Sequence, residues 1–320
     1  MDKLLEINNL SVKIKDRING DFFAVRNLSL SIDKGSALGI VGESGSGKTV
    51  TALAVMGLAS KDSRPEGDGI NFCGKNLLDL SQKEYAAIRG KDISMIFQDP
   101  VTGLNPLMKI GKQVEESLLL HSRLTPLQIK EEALNMMGYT GLKDAENLYN
   151  AYPHQLSGGM RQRVMIASAI ISRPKLIVAD EPTTALDSTT QTQILNMFKK
   201  FKEEHQTSLM FISHNFGVIN YISDYISVMY RGFVMEYGDR EHITKAPLHP
   251  YTRALIKCIP TENMKGTPLF TIKNDLGNDA DDIHCPFYSR CDYKCEKCQK
   301  PFEGQYLDGR YARCARIGEI

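Results

Sequence analysis

Gly42-Glu43-Ser44-Gly45-Ser46-Gly47-Lys48-Thr49 matches the phosphate-loop spacing G-x-x-x-x-G-K-[ST]. Such a loop turns successive backbone N–H groups towards phosphate oxygens. Gly42, Gly45 and Gly47 permit the close approach and unusual dihedrals that this requires. Lys48 is the residue type for β and γ phosphates, and Thr49 offers a hydroxyl to Mg²⁺. Further along, Asp180-Glu181 closes the apolar run Leu176–Ala179. Asp180 suits Mg²⁺ held through water, and Glu181 suits a general base that orients or polarises a water. Gln98 follows Met95-Ile96-Phe97 and can offer its amide carbonyl to Mg²⁺ or to that water. His214, after Leu209–Ser213, can reach a γ-phosphate or Glu181. A loop glutamine or a lone histidine is ordinarily structural. Only their positions behind the phosphate loop and at strand ends give them weight.

Elements must place these groups. Leu5–Ile14 alternates and reads as a strand, and Ala24–Ile32 reads likewise. Ala37–Val41 is a short buried strand entering the loop, and Thr49–Leu58 is apolar enough to be the helix leaving it. Strand, loop and helix in that order is the context a phosphate loop needs. Its helix N-terminus also favours an anion. From Pro100 to Pro153, Val114, Leu118, Leu119, Ile129, Ala133, Leu134 and Met137 recur at helical spacing, which predicts a helical insertion over about 100–160. Lys175–Asp180 and Leu209–Ser213 return to buried strands. The expected class is therefore α/β. A nucleotide domain spans 1–240, and beyond 240 proline and glycine rise and a small extension covers 241–320.

Composition limits the partners. The 320 residues suit about two domains. A hydrophobic content of 42% with 24% charged residues is ordinary for a globular chain. The net charge of +1 gives no argument for nucleic acid. No apolar run approaches the roughly 18 residues that cross a bilayer, and Met1–Glu6 turns charged at once, unlike a secretory leader. The expected location is cytoplasmic, with membrane association only through partners. Five of the seven cysteines lie between Cys285 and Cys314. In a reducing compartment that group reads as a metal or cluster site rather than as disulfides. Cys73 and Cys258 are expected to be ordinary buried cysteines.

Leu156-Ser157-Gly158-Gly159-Met160-Arg161-Gln162-Arg163, Asp180-Glu181-Pro182-Thr183-Thr184-Ala185-Leu186-Asp187 and Ser213-His214 resemble, in order and spacing, the signature, carboxylate strand with D-loop, and switch histidine of ABC transporter ATPases. The resemblance covers about residues 1–240. It implies that Ser157, Gly158, Gly159 and Gln162 face the ATP held by a second ATPase subunit, with Asp187 at the seam. It also implies an aromatic on the adenine upstream of the loop, for which Phe23 is preferred to Phe22. Asn215 departs from the acidic residue that relatives commonly carry there. His249-Pro250-Tyr251, Gln98–Pro106 and Tyr152–Gln155 are similar to the oligopeptide and dipeptide importer branch.

In that branch Cys285, Cys291, Cys298 and Cys314 resemble a four-cysteine pattern that carries a [4Fe–4S] cluster in some members. Zinc is the rival, and Cys295 competes for the third position. The branch further implies a heterodimer of related ATPases, two transmembrane permeases and an extracellular binding protein. Importers of nickel or other metal chelates share the same tail. A soluble ABC ATPase acting on DNA or ribosomes is the remaining alternative, and the single cassette without basic excess weighs against it.

Overall fold

Buried β-branched runs give this chain its strands, and the computed structural model describes residues 2–16, 20–184, 186–259, 270–272 and 284–319. Ala185, in the predicted D-loop run, lies outside them. Two compact units are assembled from interleaved segments. One comprises Met1–Leu4, Ile32–Ala37 and Asp79–Ile212; the other comprises Leu5–Ser31, Leu38–Leu78 and Ser213–Ile320.

The first unit is built on three parallel strands, Ile93–Ile96, Leu176–Asp180 and Ser208–Ser213. Ile96 pairs with Ala179, and Asp180 with Ile212. Every residue of the latter two strands is buried, as parallel strands covered on both faces are. Phe97, expected to complete the buried strand Met95-Ile96-Phe97, lies one residue beyond its end and is exposed. Helices Ile110–His121, Pro126–Tyr139 and Gly158–Ile170 form the expected insertion, the last running on to Ile170. Val114, Leu118, Ile129, Ala133 and Met137 are buried as their spacing predicts. Leu119 is not: one residue past Leu118 turns it about 100° around the helix, and it is 54% exposed. Leu134 is half-buried, and Met136 takes a core position instead.

In the second unit, Lys3–Ile14 pairs antiparallel with Gly69–Phe72 and Ser63–Glu66, and Phe22–Asp33 lies beside it. A second sheet runs from Ala37–Val41, whose five residues are all buried, to Tyr225–Tyr230 in parallel. It continues through Phe233–Asp239 to Arg310–Ala312 and ends at Gln305–Leu307. The tail therefore adds two strands to this sheet. Helix Lys48–Val55 follows the phosphate loop and stops three residues before the predicted end. Gly57, at φ +61°, supplies the left-handed residue that terminates it.

The expectation of two buried cysteines fails. Cys73 is exposed and Cys258 only partly buried. Cys73 and Gly74, at φ +50° and +80°, are the turn of a hairpin between Gly69–Phe72 and Lys75–Asn76, so the thiol points away from the core.

Candidate functional site

The strand Ala37–Val41 delivers the chain into a loop whose glycines are sterically required. A Cβ on Gly42 would stand 2.1 Å from the Met229 carbonyl oxygen, and one on Gly47, at φ +99°, 2.4 Å from that of Ala24. Gly45 has open space around it but needs φ +77°. Lys48 is buried, and its Nζ donates to the carbonyls of Gly42 and Glu43 at 2.8 Å each and to Ser46 Oγ at 3.2 Å. Its ammonium thus sits inside the curve of the loop. Ser44, Gly45 and Thr49 are exposed. The donor set fits a polyphosphate: an amide-lined loop, a helix N-terminus, an ammonium and a hydroxyl. Phe23 is half-buried with the Arg26 guanidinium 5.5 Å over its ring, while Phe22 is exposed.

Asp180 is the last residue of its strand and only 2% exposed. Glu181, next in line, adopts φ +48°, unusual for a side-chain-bearing residue. Its N–H donates to the Ile212 carbonyl at 3.0 Å. Its carboxylate Oε2 accepts from Thr184 Oγ1 at 2.9 Å and from Gln98 Nε2 at 3.4 Å. Gln98 and Glu181 thus meet across 83 residues of sequence. Thr184 lies within the carboxylate motif, yet only the fold reveals its contact with Glu181. His214 directly follows Ser213 at the end of a strand and is exposed.

Ser157 caps helix Gly158–Ile170, its Oγ accepting from the Met160 N–H at 3.3 Å. A Cβ on Gly158 would meet nothing within 4 Å, so this helix start is open. Gln162 does not share that open face and is 2% exposed. Asp187 caps Ser188–His205: Oδ1 accepts from the Thr190 N–H at 2.9 Å, and Oδ2 from the Thr190 hydroxyl at 2.7 Å. Those two hydrogen bonds, the backbone one first, hold its carboxyl below the usual range.

Cys285, Cys291, Cys298 and Cys314 line one cavity of about 10 Å³, together with His249 and Tyr288. Cys295 is not among its lining, though its Sγ lies 3.8 Å from that of Cys298. Burial pushes the Cys285 thiol up to about 12 and Cys291 to about 11, and raises Cys298 and Cys314 as well. Among the described residues, no three His, Cys, Asp or Glu side chains are grouped as a ready-made metal site. The predicted cluster site is therefore a convergence of four thiols around a space of about one water, not a formed cage.

The ABC transporter family model matches residues 25–184, and the model of the oligopeptide/dipeptide transporter C-terminal region matches 235–298. The chain is 45% identical over 303 residues to the oligopeptide transport ATP-binding protein OppD of Haemophilus influenzae, covering 93% of this chain and 92% of the relative. It is 42% identical over 311 residues to the dipeptide transport ATP-binding protein DppD of Bacillus subtilis, covering 96% and 92%. Among solved structures it resembles the ATP-binding cassette MJ0796, described as dimeric and bound to ADP and Pi. There the TM-score is 0.67 at 30% identity, covering 74% of this chain and 98% of that one. With the phosphate loop, the carboxylate pair and the capped signature helix on one polypeptide, the chain belongs to the ABC transporter family, in its oligopeptide/dipeptide branch, and is an ATPase.

Proposed function

We propose that this chain powers the uptake of oligopeptides or dipeptides through two partner permeases, acting at the cytoplasmic face of the membrane beside a second, homologous ATPase subunit. The observation that carries the substrate class is the oligopeptide/dipeptide C-terminal match over 235–298, downstream of the cassette. A peripheral position is consistent with there being no helix, among the described residues, long and apolar enough to cross a membrane. Gly42–Thr49 would cradle the phosphates of ATP, with Phe23 towards the base and His214 towards the γ-phosphate. Thr49, Gln98 and Asp180 would hold Mg²⁺, which neutralises charge developing on the transferred phosphoryl oxygens. Glu181 takes the proton from the attacking water, and Thr184 and Gln98 hold its carboxylate in place. The open helix start at Ser157, Gly158 and Gly159 is offered to the ATP of the other subunit, and Asp187 lies at that seam. ATP that is bound only by the closed pair shifts the pair towards closure, and hydrolysis releases it.

Replacing Glu181 with Gln tests this. Binding of ATP should persist while turnover falls by roughly 10²–10⁴-fold and a closed pair accumulates. Reconstituted with its permeases and binding protein, the wild type should hydrolyse ATP faster when short peptides are supplied. Stimulation by a nickel chelate and not by peptides would overturn the substrate assignment.

We also infer a four-thiolate group at Cys285, Cys291, Cys298 and Cys314, with [4Fe–4S] preferred to zinc. The donor set fits either, and the cavity must open to take one. Such a group would tie together a tail that has few apolar residues of its own. Anaerobically purified protein should contain about four iron and four sulfide per chain. One zinc per chain without visible-range absorbance would favour the rival.

A further inference from the structure

The second residue of the phosphate loop is held from three directions. The Glu43 N–H donates to Tyr251 Oη at 3.2 Å. Its carbonyl accepts from Lys48 Nζ at 2.8 Å and from the Ser46 N–H at 3.2 Å. Its carboxylate Oε2 accepts from Arg290 Nη1 at 2.8 Å, across 247 residues of sequence. Backbone donor, backbone acceptor and side chain are all committed.

Arg290 is not a surface arginine that happens to reach the loop. Its side chain is 8% exposed, and Nη1 also donates to Tyr230 Oη at 3.2 Å. The guanidinium lies 5.6 Å from the Tyr230 ring centroid and 5.9 Å from that of Phe287. These two rings pack with Tyr251 at 4.8 and 5.1 Å, so the same cluster also sets the hydroxyl that binds the Glu43 backbone. Arg290 ends a short turn, Tyr288–Arg290, fixed at both sides by cysteine backbone: the Tyr288 N–H donates to the Cys285 carbonyl at 2.9 Å, and the Cys291 N–H to the Tyr288 carbonyl at 3.3 Å.

We propose that Arg290 is a positioning residue for nucleotide binding: by gripping Glu43 it fixes the start of the phosphate loop, and so makes the cysteine-bounded turn part of the support of the ATP site. This rests on the reading of Gly42–Thr49 as the ATP loop. A loop with Glu43 released has more backbone conformations to lose when phosphate binds, and that ordering cost subtracts from affinity. Lysine cannot replace the arginine fully, since it has neither the planar fork nor the flat face that lies over Tyr230 and Phe287.

The test is ADP binding by calorimetry on the full-length chain, comparing wild type with Arg290→Ala, Arg290→Lys, Glu43→Gln and the double variant Arg290→Ala/Glu43→Gln. Arg290→Ala and Glu43→Gln should each weaken binding roughly tenfold, Arg290→Lys less, and the double variant no more than Arg290→Ala alone, because both remove one shared contact. ADP should also slow amide hydrogen exchange over residues 285–291 in the wild type, and not in Glu43→Gln. Should Arg290→Ala fail to fold, Glu43→Gln breaks the pair from its exposed side and carries the exchange measurement. A lowered melting temperature with wild-type ADP affinity, or additive penalties in the double variant, would overturn the proposal. Lys48→Ala reports separately on the loop reading: if it binds ADP like the wild type, that reading fails whatever Arg290 does.

Discussion

Glu181 concentrates what single residues contribute. Its left-handed backbone is held by the Ile212 hydrogen bond, and its carboxylate by Thr184 and Gln98. Strain kept in place by surrounding bonds is a common trait of functional positions. Thr184→Val deletes the shorter of the two carboxylate contacts while leaving the phosphate loop untouched. Turnover should fall roughly tenfold with ATP affinity unchanged, as steady-state and equilibrium binding assays would show. Gly47→Ala fails differently. Its Cβ would lie 2.4 Å from the Ala24 carbonyl at a φ disfavoured for alanine, so stability should drop by about 2 kcal/mol or more in urea unfolding. The phosphate loop was legible in the sequence because its chemistry is made by backbone at fixed spacing. Thr184 and Arg290 were not, since each acts through a side-chain contact that leaves no periodic trace. Cys73 is exposed because Gly74, the following residue, makes a hairpin turn with it between Phe72 and Lys75, a signal that its neighbours in sequence do carry.

Among the elements, helix starts carry most of the candidate groups. Ser157 and Asp187 both cap the helices they precede, so their side chains have a local duty besides any contact with another subunit. Asp187→Ala should lower the urea midpoint, and Asp187→Ser, which keeps a capping oxygen, should recover most of the loss. If Asp187 also serves a subunit seam, ATP-dependent pairing measured by light scattering will remain weak in Asp187→Ser despite the recovered stability. Equal stability of wild type and Asp187→Ala would remove the capping role. The strands the sequence marks, such as Leu5–Ile14 and Leu209–Ser213, lie within about two residues of those found because continuous burial and period-two alternation are strong signals, whereas Gly69–Phe72, Tyr225–Tyr230 and Phe233–Asp239 were not read from the sequence. The insertion's helices were legible as a class. Which leucine faces inward was not, as Leu118 and Leu119 differ only in angle about the axis. Gln162 was placed at the nucleotide by its motif alone, while the helix turns it into the interior.

At the scale of the whole chain, the tail emerges as part of the fold rather than an appendage, something its weak periodicity gave no means to foresee. His249 shows how deeply it is built in. Its Nδ1 accepts from the Tyr251 N–H at 3.0 Å to cap helix Pro250–Lys257, and burial drives its pKa down to about 3, with Arg253 also lowering it and a backbone hydrogen bond with Arg313 opposing. Glu236 stands nearby, its carboxylate accepting from the N–H groups of Leu248 and His249. Unfolded histidine takes a proton near pH 6.5 and the folded ring does not. Between about 6.5 and 3 the unfolded chain therefore binds the extra proton, and stability is lost as pH falls through that window, by up to about 1.4 kcal/mol per pH unit. His249→Asn, which keeps a capping oxygen, should show a shallower fall in urea midpoint between pH 7 and pH 5; an unchanged slope would exclude His249 as the cause. The strand pairing of the tail has a further effect. Phe233–Asp239, largely buried, is flanked on its outer side by Arg310–Ala312, and the sheet closes with only three residues, Gln305–Leu307, all exposed. A chain clipped after residue 259 would unpair the outer edge of Phe233–Asp239 at Met235, Glu236 and Tyr237, baring backbone amides and carbonyls that are a template for sticking to copies of itself. The tail strands Gln305–Leu307 and Arg310–Ala312 thus guard solubility, and a cell that lost them by proteolysis would find the subunit in aggregates before it noticed any defect in transport.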